Sequence, residues 1–340
     1  MTGANDAIDA TVEALAAYDL RPPVRLFALP DARGINNRNR GVQTSAGTFA
    51  WKTYLAHRSP AAIRYEHRLL AWLASQTLPF ATSHALPTQA GDTLCRTPDD
   101  AHWQALFTYL PGAHLDLNDR TLIASFGAAL AELHGALQRY PMDPAPGITE
   151  YAALHEIHPA VPDPYALTQA ELAAGADAGR EDVRWRWHAL LDATRAFIDG
   201  PYRALPRQVI HGDMGPSNVF AQDGRITAIF DFEFAMPDAR AIDVASGLTH
   251  VMRLWERDDA TALAMARCFS QGYCRRGRLT ATERASLPHL MLLREVVGTI
   301  WWAGRNRAGT PQKGTGRVAD MERLVAWLRR YETEFAAATE

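Results

Sequence analysis

Gln208-Val209-Ile210-His211-Gly212-Asp213-Met214-Gly215-Pro216-Ser217-Asn218, followed thirteen residues later by Asp231, is the stretch whose reading decides the fold of this chain. Gln208-Val209-Ile210 reads as a short apolar strand entering the His-Gly-Asp turn, and Val219-Phe220 as a second strand leaving it. Asp223-Gly224 is a hairpin signal, and Ile226-Thr227-Ala228-Ile229-Phe230 is the returning strand that ends at Asp231. Asp213, Asn218 and Asp231 therefore fall at or beside strand ends, where three oxygen-bearing side chains can share one cleft. Taken alone, a His-Gly-Asp tripeptide is only a polar turn; its spacing to Asn218, the hairpin and Asp231 makes it a candidate phosphate and magnesium site.

The catalytic loop of protein kinases runs H-R-D-x-x-x-x-N and precedes D-F-G, with the first Asp accepting the substrate hydroxyl proton and the Asn and second Asp holding magnesium. Here those slots read His211-Gly212-Asp213 to Asn218, and Asp231-Phe232-Glu233. With Ile229-Phe230-Asp231-Phe232-Glu233-Phe234-Ala235 downstream, the chain resembles the aminoglycoside phosphotransferase and choline kinase superfamily, whose members carry H-G-D-x-x-x-x-N and then I-x-D-F/W-x-x-A. The resemblance implies an α+β, bilobal, protein-kinase-like fold: a small N-terminal antiparallel sheet lobe with one main helix, and a larger, mostly helical C-terminal lobe. It also implies Asp213 as catalytic base and Asn218 and Asp231 as magnesium ligands. His211 and Asp243, the latter in Ala241-Ile242-Asp243-Val244-Ala245, would support the catalytic loop.

Upstream, Ile8, Val12, Leu15 and Ala16 are spaced for a short amphipathic helix. Strands are expected at 25–29, 40–44 and 48–54, the last two paired around Ser45-Ala46-Gly47. Phe49-Ala50-Trp51-Lys52-Thr53-Tyr54 resembles the family's Y-V-L-K/R-x-Y segment, which makes Lys52 the residue that holds the α and β phosphates. Ser59-Pro60 opens a helix that buries Ile63, Leu69, Leu70 and Leu73 and places Glu66 as the partner of Lys52. Gly34-Ile35-Asn36-Asn37-Arg38-Asn39-Arg40-Gly41 departs from G-x-G-x-x-G and resembles the G-I-x-N-x-N-Y turn of bacterial homoserine kinases, so Asn36 and Asn37 are expected at the nucleotide phosphates. Trp103 to Gly112 reads as a strand with a Pro-Gly stop and resembles the family hinge F/Y-L-P-G; backbone groups of Thr108 and Leu110 would meet adenine. The expected division is thus a nucleotide-binding lobe over 1–110 and a catalytic and acceptor-binding lobe over 111–340.

Composition fits two domain-sized units: 340 residues, 47% of them hydrophobic, with a net charge of -3. No Lys/Arg run gives the basic footprint of a nucleic-acid binder. The three cysteines, Cys95, Cys268 and Cys274, form no even disulfide framework and no C-x-x-C pair, which favours a reducing compartment. No run approaches the roughly 18 apolar residues that span a bilayer, so a cytoplasmic protein without membrane contact, monomeric or homodimeric, is expected. Helices are expected near 120–138, 180–199, 241–257, 260–276, 281–306 and 317–337. His134 reads as a hydrogen-bonded core residue, and the His155 and His158 pair, lacking a third nitrogen or sulfur ligand, as part of a surface connection.

Leu292 to Arg305 is similar to the C-terminal L-R-x-x-x-x-R-F-W-x-x-R helix of homoserine kinases, with Gly298-Thr299-Ile300-Trp301 breaking the match. Arg294 or Arg305 could hold a carboxylate, and Trp301 and Trp302 could wall the cleft or stack on a cation, with Glu233 as a further acceptor contact; core packing of the tryptophans and an exposed Arg305 are the other readings. The sequence thus reads as an ATP- and magnesium-dependent O-phosphotransferase, with GTP as a possible donor, acting on a small-molecule hydroxyl, foremost that of a hydroxylated amino acid or amino alcohol. The alternatives are a kinase of aminoglycosides or other hydroxylated antibiotics and a catalytically silent nucleotide binder.

Overall fold

The computed structural model describes residues 15–29, 36–55, 59–172, 179–309 and 318–340. Ile8, Val12, Gly34 and Ile35, to which the sequence assigned a helix and part of a phosphate turn, lie outside them. The chain divides into two compact units, one of Met1–Ala113 with Thr227–Glu233 and the other of His114–Ile226 with Phe234–Glu340.

The first unit is built on a five-stranded antiparallel sheet of order β1-β2-β3-β5-β4, formed by β1 (Arg25–Ala28), β2 (Asn37–Thr44), β3 (Gly47–Tyr54), β4 (Cys95–Arg96) and β5 (Trp103–Thr108). Strand β2 starts three residues before the expected Arg40, because Asn37, Arg38 and Asn39 pair with Tyr54, Thr53 and Lys52. Polar residues of low strand propensity are carried into the ladder by a partner strand already formed. Alternation along β3 sends successive side chains to opposite faces. Trp51 enters a cluster with Leu15, Tyr18, Val42 and Leu106, while Lys52 reaches Glu66 and Tyr54 reaches His67 on helix α1 (Pro60–Ala74). Ser59 caps α1 by accepting from the Ala62 N–H at 3.2 Å, and Pro60 sits in its first turn, where a missing N–H costs nothing. The segment Thr227–Glu233 is joined to this unit through Ala81, whose N–H donates to Thr227 O at 2.8 Å and whose carbonyl accepts from Ile229 at 3.0 Å.

Downstream come the two-residue β6 (Ala113–His114), α2 (Arg120–Leu137), the short α3 (Gln169–Leu172) and α4 (Val183–Asp199). Next are β7 (Arg207–Ile210), β8 (Val219–Gln222), β9 (Arg225–Ile229) and β10 (Met236–Ala239). Helices α5 (Ala241–Met252), α6 (Asp259–Cys274), α7 (Ala281–Arg307), α8 (Val318–Arg330) and α9 (Glu332–Ala338) complete the chain. Asp223 and Gly224 turn β8 into β9 with φ of 51° and 75°, as a tight hairpin requires. Antiparallel β7 and β10 pair Ile210 with Met236, so the His211 loop leaves a paired strand end.

Two helix boundaries differ from expectation. Helix α5 stops at Met252 because Arg253 takes a left-handed φ of 44°, and the single helix expected over 317–337 is interrupted at Tyr331. Helices α2 and α6 pack backbone to backbone through glycines: a Cβ on Gly272 would run into the Ala124 carbonyl, and one on Gly127 into the Phe269 carbonyl. Gly272→Ala should therefore lower the unfolding free energy by about 1–3 kcal/mol through overpacking, read as a lower urea midpoint.

Candidate active site

In the first unit the site is organised around a buried ammonium. Lys52 Nζ lies 3.1 Å from Glu66 Oε1 and 3.4 Å from Asp231 Oδ1, and 4.8 Å from the centre of the Tyr54 ring. Burial by itself would pull the lysine pKa down, but Glu66 first, then Tyr54, Asp231 and Glu233, outweigh it and hold the group well above the ordinary lysine range. Lys52 is therefore a fixed cation at neutral pH. Asp231 has φ of 65°, a left-handed backbone that a short polar side chain tolerates and most residues do not.

Glu233 is buried, and its two oxygens accept from Asn36 Nδ2 at 2.7 Å and Asn37 Nδ2 at 3.0 Å. The Asn36 and Asn37 amide nitrogens, expected at the nucleotide phosphates, hold a carboxylate of their own chain, and Glu233, expected at the acceptor, ties the start of β2 to the Asp231 segment. The Thr108 N–H donates to His84 O at 3.1 Å and its Oγ1 accepts from the His84 N–H at 3.1 Å. That N–H is not available to an adenine edge. Leu110 lies two residues beyond the end of β5.

In the second unit the loop after β7 is wired to a fully buried carboxylate. Asp243 Oδ2 accepts from His211 N at 2.8 Å and Oδ1 from Gly212 N at 3.0 Å. His134 Nε2 stands 3.2 Å from the same Oδ2 while its Nδ1 pairs with Tyr273 OH at 2.9 Å, so His134 is a hydrogen-bonded core residue. Burial would raise the Asp243 pKa, but the hydrogen bond and charge of His134, then His211 and its backbone N–H, leave it below the ordinary range. Gly212 has φ of 79°, and a Cβ there would strike the Phe234 carbonyl, so only glycine fits.

Asn218 Nδ2 donates to Asp213 O at 2.7 Å and to Asp213 Oδ2 at 3.0 Å, which closes the loop. Because its nitrogen is turned to Asp213, the other atom of the Asn218 amide is a carbonyl oxygen. That oxygen in the second unit and the Asp231 carboxylate in the first are each the hard-oxygen donor type that magnesium takes. Arg294 NH2 lies 3.8 Å from Asp213 Oδ1 and is steered by Ser246 Oγ at 2.6 Å, Glu295 at 3.1 Å and His250 at 2.9 Å. Tyr151 OH donates to the Gly212 carbonyl at 2.6 Å. Tyr151, Ser246 and His250 were not singled out in the sequence; Tyr151 follows a Pro-rich stretch with no periodic signal.

Of the remaining acceptor candidates, Trp301 packs edge-on against Phe234 and His158, each at 5.4 Å between ring centres. Trp302 is half-buried, one residue further around α7, and Arg305 is buried, which rules out its exposed reading. His155 Nδ1 is hydrogen-bonded to Pro162 O, and no cluster of three or more His, Cys, Asp or Glu forms a metal centre among the described residues.

The sequence profile of the phosphotransferase enzyme family matches residues 28–281. The chain is 31% identical over 282 residues to a homoserine kinase of Acidiphilium cryptum, covering 83% of this chain and 81% of that one. It is 32% identical over 289 residues to a homoserine kinase of a Caulobacter species, covering 83% and 82%. Among solved structures it shares its fold with a microcompartment-associated aminopropanol kinase at a TM-score of 0.65 and 19% identity, covering 97% and 98% of the two chains. An amicoumacin kinase in complex with AMP-PNP and Ca2+ aligns at 0.64 and 18%, covering 100% and 97%.

Asp243→Asn keeps the shape but replaces one acceptor oxygen with an NH2 group, leaving a loop N–H unsatisfied. Urea denaturation should show a loss of about 1–3 kcal/mol.

Proposed function

The chain belongs to the phosphotransferase enzyme family and is a small-molecule kinase, and from that premise we propose that it transfers the γ-phosphate of ATP to the hydroxyl of a hydroxylated amino acid or amino alcohol. The setting of Asp213 carries this reading. Its backbone is fixed by Asp243 through the two preceding N–H groups, its carboxylate accepts from Asn218, and its side chain is 44% exposed. Asp213 would orient the acceptor hydroxyl and take its proton as the oxygen attacks phosphorus. Arg294 lies 3.8 Å away, and although burial works against its charge, Glu295, Tyr151 and then Asp213 raise its pKa and keep it a cation.

Lys52, held by Glu66, would bind the α and β phosphates, and Leu110 would meet the adenine. Asn218 and Asp231 would hold magnesium, which when bound offsets charge on the transferred phosphoryl group. A fixed cation and fixed oxygens match a reaction in which positioning and charge compensation do most of the catalysis. The homoserine kinase relatives support a hydroxy amino acid as acceptor. The antibiotic-kinase reading asks for carboxylates facing a cationic acceptor, and Glu233, the acidic residue considered for that role, is held by Asn36 and Asn37. No helix of the described residues is long and apolar enough to cross a membrane, and we place the enzyme in the cytoplasm.

ATP and GTP consumption with magnesium should be assayed against homoserine, related hydroxy amino acids, amino alcohols, choline and hydroxylated antibiotics. Turnover with one acceptor class is expected, and Asp213→Asn should lower kcat by about a hundred- to ten-thousand-fold while nucleotide binding persists. Unchanged turnover in that variant would remove Asp213 from the role of base.

A further inference from the structure

An ammonium on a flexible four-carbon stem has no direction of its own, so what aims Lys52 comes from its surroundings. The two carboxylates supply charge but little direction. Glu66 offers one oxygen, Oε1, while its buried Oε2 has no hydrogen-bond partner among the described residues. Asp231 Oδ1, at 3.4 Å, stands at the long limit of hydrogen bonding. A second set of contacts is aromatic: Nζ is 4.8 Å from the centre of the Tyr54 ring and 6.0 Å from that of Phe107. Both distances are within reach of a cation–π contact, which strengthens when the cation is withdrawn from water, as Lys52 is.

Strand register and one histidine set these rings. Lys52 and Tyr54 are two residues apart on β3 and share a face, and Phe107 on β5 lies opposite Ala50, the preceding residue of that face. On α1 the residue after Glu66 is His67, whose ring stands edge-to-face with Phe107 at 5.2 Å between centres. His67 Nε2 pairs with Tyr54 OH at 2.9 Å and Nδ1 with Thr93 Oγ1 at 2.7 Å. Burial first, with Glu66 opposing it and Lys52 adding to it, pushes the His67 pKa down to about 4, so the imidazole is neutral at neutral pH. One of its nitrogens then donates and the other accepts, and a hydroxyl at each end can take either role, so both tautomers satisfy the chain Thr93, His67, Tyr54. The buried phenol keeps this partner, which fixes the tilt of the Tyr54 ring.

His67 thus reaches both rings that meet the ammonium, while Lys52 Nζ itself bonds Glu66 and Asp231. We infer that His67 is a positioning residue of the phosphate-donor site: by holding Tyr54 and Phe107 against the Lys52 ammonium, it fixes the direction in which that cation meets nucleotide phosphates. This rests on the reading of Lys52 as the phosphate ligand, and it adds a residue that acts only through the lysine.

The test is a double-mutant cycle of His67→Leu with Lys52→Met on the full chain, read as the affinity for ATP with magnesium by calorimetry. Lys52→Met should weaken ATP binding by about 10- to 100-fold. His67→Leu alone should weaken it by about 5- to 30-fold, and should add less than about twofold once Lys52 is gone. His67→Gln, whose amide can bond Tyr54 OH, should recover part of the loss. A residue that only stabilised the sheet would lower the unfolding midpoint without this dependence on Lys52. Equal losses from His67→Leu with and without Lys52, or no loss at all, overturn the inference and leave Lys52 at the phosphates. Unchanged ATP binding in Lys52→Met removes the phosphate role of Lys52 and the inference with it. If His67→Leu does not fold, Tyr54→Phe, which breaks the same bond from the other side, replaces it in the cycle under the same criteria.

Discussion

A carboxylate sealed from solvent, Asp243, sets the shape of the loop on which the chemistry depends. Its two oxygens receive consecutive N–H groups from His211 and Gly212, and a third contact comes from His134. A buried charge of this kind is stable only when hydrogen bonds replace its lost hydration. The loop cannot relax without unsatisfying it, so the left-handed turn at Gly212 persists and Asp213 leaves the turn in a fixed direction. Tyr151 adds a further hold on the carbonyl side of Gly212, and Ser246 joins the next residue, Met214, to Arg294.

The first unit uses the opposite charge in the same way. Lys52 is withdrawn from water in the middle of the sheet, where burial alone would favour its neutral form, and Glu66 and Asp231 reverse that preference. Glu233 then ties the segment carrying Asp231 to the start of β2 through two asparagine amides. Each unit thus relies on a buried charge whose partners fix geometry as well as energy.

Local order is what the sequence reveals best. The strand, loop and hairpin from Gln208 to Asp231 are legible because their signals are a few residues apart, and Glu66 is matched to Lys52 through the kinase pattern that the strand and helix resemble. Contacts between distant segments are hidden. Asn36 and Asn37 read as phosphate contacts, and nothing near them in sequence announces their bonds to Glu233, 197 and 196 positions away. Arg305 looks like a surface charge at a helix end, yet it is buried. The bonds of Thr108 at the end of β5 are hidden in the same way, because His84, far from it in sequence, occupies them.

The boundaries of the two compact units have a consequence for inheritance. The polypeptide leaves the first unit after Ala113, returns to it for Thr227–Glu233, and leaves again at Phe234. Neither unit is a continuous stretch of sequence. A gene fragment encoding only the first 113 residues would lack Asp231 and Glu233, and one encoding the remainder would carry them away from Lys52 and Asn37. A single recombination crossover therefore cannot exchange the lysine-bearing half as a cassette. To exchange it, both segments, Met1–Ala113 and Thr227–Glu233, have to move together.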